Sequence, residues 1–245
     1  AMQATTVVGY QTKTVTGLDE NEAAKWYFVA VQFKGVAEDA DVIKFDDLIS
    51  ISGITPVAWS KRNKKDGTGA ACIEVQNEDG NYDYYYYVNN AYSTTDKLEG
   101  DNIHTGWASS QVLASGLTIS VLKIGTGFWF TDPNLGHETA TLTFAGQVKS
   151  EQSKVFTIPG TTCTIHSNPY PTQLAIANIK TTAAAVAWSK RNKTDGTGAI
   201  CLEVVNAEGN YDYYYYVNNA YSTTEKQDGD NIHTGWAKAQ VLASG

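Results

Sequence analysis

The sequence predicts an all-β protein built as two tandem β-sandwich-like domains from an internal duplication. Three observations carry that expectation. Residues 57–116 recur almost unchanged, and without a gap, as residues 186–245, and a repeat of this size sets the architecture before other features are weighed. Short runs rich in β-branched and aromatic residues follow one another along the chain, separated by Gly, Asn and Asp clusters, which is the pattern of strands and tight turns. A chain of 245 residues also has room for two domains of about 120 residues, each able to bury a core.

Taken in order, residues 5–10, 26–33, 71–75, 82–88, 117–124, 128–131 and 140–144 read as strands. Residues 71–88 form a hairpin pattern, with Asn77-Glu78-Asp79-Gly80 supplying the turn and Asn206-Ala207-Glu208-Gly209 repeating it. Glycine fits there because such turns need a positive φ. Residues 42–49 and 174–179 are the two places with room for a helical turn.

The differences between the copies indicate which face is inside. Ala71 and Ile73 are replaced by Ile200 and Leu202, and Val75 matches Val204, so apolar character is kept. Lys65, Glu78, Leu98 and Ser109 become Thr194, Ala207, Gln227 and Lys238, as solvent positions allow. Alternation then points residues 71, 73 and 75 inward and Cys72, Glu74 and Gln76 to the opposite face. In the tyrosine run, Tyr82, Tyr84 and Tyr86 face one way and Tyr85 and Tyr87 the other, repeated from Tyr211 onward.

The repeat extends upstream, since ATTVVGYQ at 4–11 is similar to ATLTFAGQ at 140–147. A boundary is expected within the polar stretch DPNLGHET at 132–139, giving domains 1–135 and 136–245. After LASG the first copy continues with LTISVLKIGTGFWFTDP, whereas the second stops at Gly245. The second domain is therefore expected to lack the equivalent of residues 117–131. A sandwich short of a strand exposes unpaired backbone groups along an edge, and such an edge recruits a strand from another chain.

Composition narrows the partners. A net charge of −8 argues against nucleic acid, whose phosphates need clustered Lys and Arg. The two SKRNK stretches are short and read as solvated turns. No apolar run approaches the roughly 20 residues of a membrane helix, so no transmembrane segment is expected. The start at Ala1 reads either as a secreted chain processed after a small residue or as a cloning remnant.

No HExxH, CxxC, GxSxG or complete phosphate loop occurs, so neither an enzyme nor a cofactor or metal site is expected. Asp79, Asn81 and Asp83, the turn at Asp66, and the Asp101-Asn102 and Asp230-Asn231 pairs read as turn chemistry, because the calcium-loop pattern of alternating acids with a terminal Glu is not met. Of the four histidines, His104 and His233 are copies beside copied Asp and Trp and read as loop-fixing. Cys72 and Cys201 are copies, and Cys163 has no equivalent, so the count closes no disulfide set. Cys72, Cys201 and Cys163 could cross-link neighbouring subunits outside the cell or remain inert, unpaired thiols.

Val8-Gly9-Tyr10, Asn168-Pro169-Tyr170-Pro171, GFWF within residues 125–130 and TLTFAGQV at 141–148 resemble uncharacterised secreted β-repeat proteins of Gram-negative bacteria. NPYP is missing from the first copy and GFWF from the second. The resemblance implies export and β architecture, and no chemistry.

These readings converge on a structural subunit of an extracellular filament or cell-surface layer, assembling with itself head-to-tail by β-strand addition. The N-terminal segment, with Thr5, Thr6, Val7, Val8 and Tyr10, is the expected donor. Tyr85, Tyr87, Tyr214 and Tyr216 are expected at the joint, with Cys72 and Cys201 beside it. The alternative is a secreted carbohydrate-binding module or adhesin. Its glycan partner would stack on the Tyr rows, aided by Trp59, Trp107, Trp188 and Trp236.

Overall fold

The structure is a computed structural model that describes residues 8–34, 42–44, 49–59, 70–92, 106–109, 121–148, 153–158, 163–188, 200–206, 208–221 and 235–238. Strands are the dominant regular structure among these residues, and none of them forms an α-helix. They divide into two compact units, Ala1–Gln173 and Leu174–Gly245.

Unit 1 contains β1 (Val8–Thr16), β2 (Tyr27–Ala30), β3 (Phe33–Lys34), β4 (Val42–Lys44), β5 (Ile49–Ser52), β6 (Val57–Trp59), β7 (Cys72–Gln76), β8 (Tyr82–Tyr92), β9 (Gly106–Ser109), β10 (Val121–Lys123), β11 (Gly127–Thr131) and β12 (Thr139–Val148). One sheet has β12 at its centre. β1 runs antiparallel along the whole of one side of β12, and β5 and β3 share the other. The second sheet runs β2, β11, β7, β8, with β6 parallel and β9 antiparallel to β8. β4 and β10 form a separate pair.

The two larger sheets bury a shared core, which includes Val15, Ala140, Leu142 and Phe144 from the first and Val29, Ile73, Phe128 and Phe130 from the second. Phe128 and Phe144 meet across the layers with ring centroids 6.2 Å apart. On β12, Ala140, Leu142 and Phe144 are buried while the intervening Thr141 and Thr143 are half-buried, the period-2 alternation of a strand covered on one face. Each large side chain removed from water in this way contributes roughly 1.5–3 kcal/mol.

Unit 2 holds β13 (Val186–Trp188), β14 (Cys201–Val205), β15 (Tyr211–Tyr221) and β16 (Gly235–Lys238). β13 lies parallel to β15, and β14 and β16 lie antiparallel to it. Registers match those of β6 to β9, with Val186 opposite Val217 as Val57 is opposite Val88, and Cys201 opposite Tyr215 as Cys72 is opposite Tyr86. The hairpin turn is the same in both. The amide of Asn77 donates to the Asn81 carbonyl at 2.8 Å while the Asn77 side chain accepts from the amides of Asp79 and Asn81, and Asn206 does the same with Asn210 and Glu208. Gly80 and Gly209 take φ near +80°, as the turn requires.

Several expectations are corrected. The division falls at 173/174, not at 135/136. The stretch 132–139 is a tight connection inside unit 1: Asp132 caps the 3-10 turn Pro133–Leu135, and the Gly136 carbonyl accepts from the amides of Gly17 and Leu18 at 2.9 Å each. Residues 163–170 are also tied to unit 1, by the Ser167 amide donating to the Gly125 carbonyl at 2.7 Å and the Gln32 side chain donating to the Tyr170 carbonyl at 2.8 Å. The similar stretches at 4–11 and 140–147 do not occupy equivalent places in two domains. Their described parts are antiparallel neighbours, with Val8 opposite Gln147 and Gln11 opposite Phe144. Of the two stretches expected to have room for a helical turn, the first forms a strand over its described residues 42–44, and the second contains the 3-10 turn Ile176–Asn178. Among the described residues unit 2 is one sheet, not a second sandwich.

Candidate functional site

The same four-strand arrangement stands in two different surroundings. In unit 1 the outer side of β7 is occupied by β11, with Phe128 opposite Val75, Trp129 opposite Glu74, Phe130 opposite Ile73 and Thr131 opposite Cys72. In unit 2 the corresponding side of β14 has no strand partner among the described residues. An edge of this kind presents a row of backbone donors and acceptors to solvent.

Burial follows the pairing. Ile73 is fully covered, whereas its counterpart Leu202 is half-buried. Val75 packs against the core, whereas Val204 is 38% exposed. Trp107 is buried against Phe130, ring centroids 6.4 Å apart. Its counterpart Trp236 is half-buried, tilted against Tyr216 at 5.2 Å, and donates its indole N–H to the Ile179 carbonyl at 2.8 Å. β14 thus carries Leu202 and Val204 with less cover than their sequence twins.

The predicted assembly residues fall as follows. Thr5, Thr6 and Val7 lie outside the described residues. Val8 and Tyr10 belong to β1 and pair with Gln147 and Ala145 of the same chain. The part of the N-terminal segment from Val8 to Gln11 is therefore committed to β12 within its own unit and is not a free donor. Tyr10 itself points outward and is 77% exposed. Tyr85 and Tyr87 pack against the core, Tyr87 with Trp107 at 5.3 Å, so they support the fold of unit 1. Tyr214 and Tyr216 are half-buried in unit 2. Cys72 is buried, and burial raises its thiol pKa far above the usual range, with the Glu74 charge adding to the rise. A thiol in that setting does not cross-link neighbours. Cys201 is half-buried on β14 and Cys163 is exposed. None of the three is in a disulfide.

A second feature was not anticipated. On the face of the second sheet opposite the core, Phe28, Trp129, Glu74 and Tyr84 stand in one cross-strand row. Phe28 meets Trp129 edge-on at 5.2 Å. The Phe28 ring lies over Gly127, where any Cβ would collide with it. Trp26, Glu74, Tyr82 and Trp129 line a shallow open cleft of about 380 Å³. The sequence did carry a trace of it: in GFWF, Trp129 alternates with the core residues Phe128 and Phe130 and must face away from them. Of the tryptophans expected to form a glycan platform, Trp107 lies in the core. The side chains of Trp59 and Trp188 lie outside the described residues.

The acidic turn is internally satisfied, since the Asn77 side-chain amide donates to Asp83 at 3.1 Å. Among the described residues no three His, Cys, Asp or Glu side chains cluster as metal ligands. No helix among them is long and apolar enough to cross a membrane. The chain matches no family model, and neither a curated protein nor a solved structure shows significant similarity to it.

Proposed function

We propose that this protein is a structural subunit of an extracellular filament or surface layer, joined head-to-tail by β-strand pairing in which the outer edge of β14 is the acceptor. The observation that carries the reading is the contrast between β7, whose outer side is filled by β11, and β14, whose outer side has no strand partner among the described residues. The complementary edge is β1 of the next copy. β1 is nine residues long, pairs among the described residues with β12 on one side only, and exposes Tyr10, Thr12 and Thr14. The two edges lie on different elements of the chain, so their contact is heterologous and propagates. The resemblance to secreted β-repeat proteins fits an extracellular setting.

The test is a pair of edge variants. A lysine on an edge strand discourages pairing. Val204→Lys blunts β14 and Thr12→Lys blunts β1, both at solvent-exposed positions. By analytical ultracentrifugation and electron microscopy, the unmodified protein forms open-ended assemblies, each variant alone stays monomeric, and an equimolar mixture stops at heterodimers. Assemblies that persist in either variant, or an unmodified protein that stays monomeric at every concentration, would overturn the proposal.

A further inference from the structure

We infer that the aromatic row on the outer face of unit 1 is a carbohydrate-binding platform, with Trp26, Trp129 and Tyr82 as stacking surfaces and Glu74 as the hydroxyl-binding group, and that it takes a neutral glycan. The residues come from separate elements, with Trp26 just ahead of β2, Trp129 on β11, Glu74 on β7 and Tyr82 at the start of β8. Pairing across β2, β11, β7 and β8 fixes their spacing, so the platform is rigid without any ligand.

Three observations favour a sugar. The cleft is shallow and open, and Trp26 and Tyr82 are about 40% exposed, at 41% and 38%. A flat aromatic surface suits the C–H face of a pyranose ring and leaves the ends of a longer chain unobstructed. The Glu74 carboxylate has no hydrogen bond or ion pair to any described residue, although it is half-buried among rings. An ionised carboxylate accepts hydrogen bonds through two oxygens, which matches two adjacent hydroxyls of one sugar. Finally, the described lining contains no Lys or Arg, so none of its described residues compensates an anionic ligand. Apolar walls with a few placed polar groups are the usual make-up of a small-molecule site.

Unit 2 supplies the internal control. Tyr211 and Glu203 repeat Tyr82 and Glu74, but among the described residues no strand stands beside β14 to bring in a tryptophan. Among the described residues the platform is found only where β11 and β2 extend the sheet. It shares no residue with β14 or β1, so it stands or falls independently of strand pairing.

The test is affinity electrophoresis of the full chain through gels containing hydroxyethylcellulose, xylan, glucomannan, laminarin or glycol chitin. At least one polysaccharide should retard the protein. Trp129→Ala should weaken that retardation about tenfold, the equivalent of about 1.4 kcal/mol. Trp26→Ala, at an exposed position that cannot unfold the core, should weaken it in the same direction. Glu74→Gln should also weaken it and remove its decline at acidic pH, while Tyr211→Ala should leave it unchanged. No retardation in any gel, or full retardation of both tryptophan variants, would overturn the inference. So would binding of a trimethylammonium probe such as choline without any polysaccharide, because the rings and Glu74 would then form a cation site.

Discussion

Cys72 and Cys201 occupy the same slot of the repeat, and only their neighbours differ. Cys72 is closed in beside β11, while Cys201 sits on an edge. A thiol-reactive label added to the folded monomer should modify Cys163 and Cys201 and reach Cys72 only after denaturation, read by peptide mass spectrometry; early labelling of Cys72 would contradict the burial described. Glu74 shows the same effect on a charge. Burial pushes its carboxyl above its usual value, so the folded state binds the proton more tightly than the unfolded chain does. Its relative stabilisation is complete below the usual carboxylate pKa and is lost as pH rises through the raised one. Glu74→Gln should therefore flatten this part of the stability–pH profile, with the largest gain relative to the parent at neutral pH, measured by thermal unfolding from pH 4 to 8. Inward and outward positions were readable from alternation, and Ile73 and Glu74 lie on the faces expected. That Tyr85 and Tyr87 would be the row turned to the core was not readable, because all five tyrosines of the run have the same chemistry.

At the scale of elements, β11 distinguishes the two units. Phe128 and Phe130 are fully buried in unit 1, and Phe128→Ala should cost about 3–5 kcal/mol in urea denaturation. Leu202, which has no such strand beside it among the described residues, is only half-buried. Leu202→Ala should cost clearly less than Phe128→Ala, and equal costs would mean that β14 is covered. Because β14 repeats β7 closely, a peptide with the sequence of β11 should dock on β14 with its two Phe side chains opposite Val204 and Leu202. It should slow Cys201 labelling and cap assembly. The Asn77 and Asn206 turns were legible because Asn and Gly at those offsets have few other uses. The pairing of β1 with β12 was not legible: similar strings suggest equivalent places in a repeat, and nothing local tells equivalence from adjacency.

At the scale of the whole molecule, unit 1 has two packed layers and unit 2, among its described residues, has one sheet. The boundary was misplaced because DPNLGHET has the composition of a linker, whereas its polar groups are used by Asp132 and Gly136 to bind the turn to residues 17 and 18. The proposed assembly requires that β14, which has no outer strand partner among the described residues, be an edge that a neighbour fills. Backbone hydrogen exchange, compared between dilute monomer and assembled material, tests it most directly. The outward-facing amides of Glu203 and Val205, which alternate with those bonded to β15, should exchange quickly in the monomer and become protected on assembly, while the corresponding amides of Glu74 and Gln76 in β7 stay protected in both. Equal protection of β7 and β14 in the monomer, or no change in β14 on assembly, would contradict it.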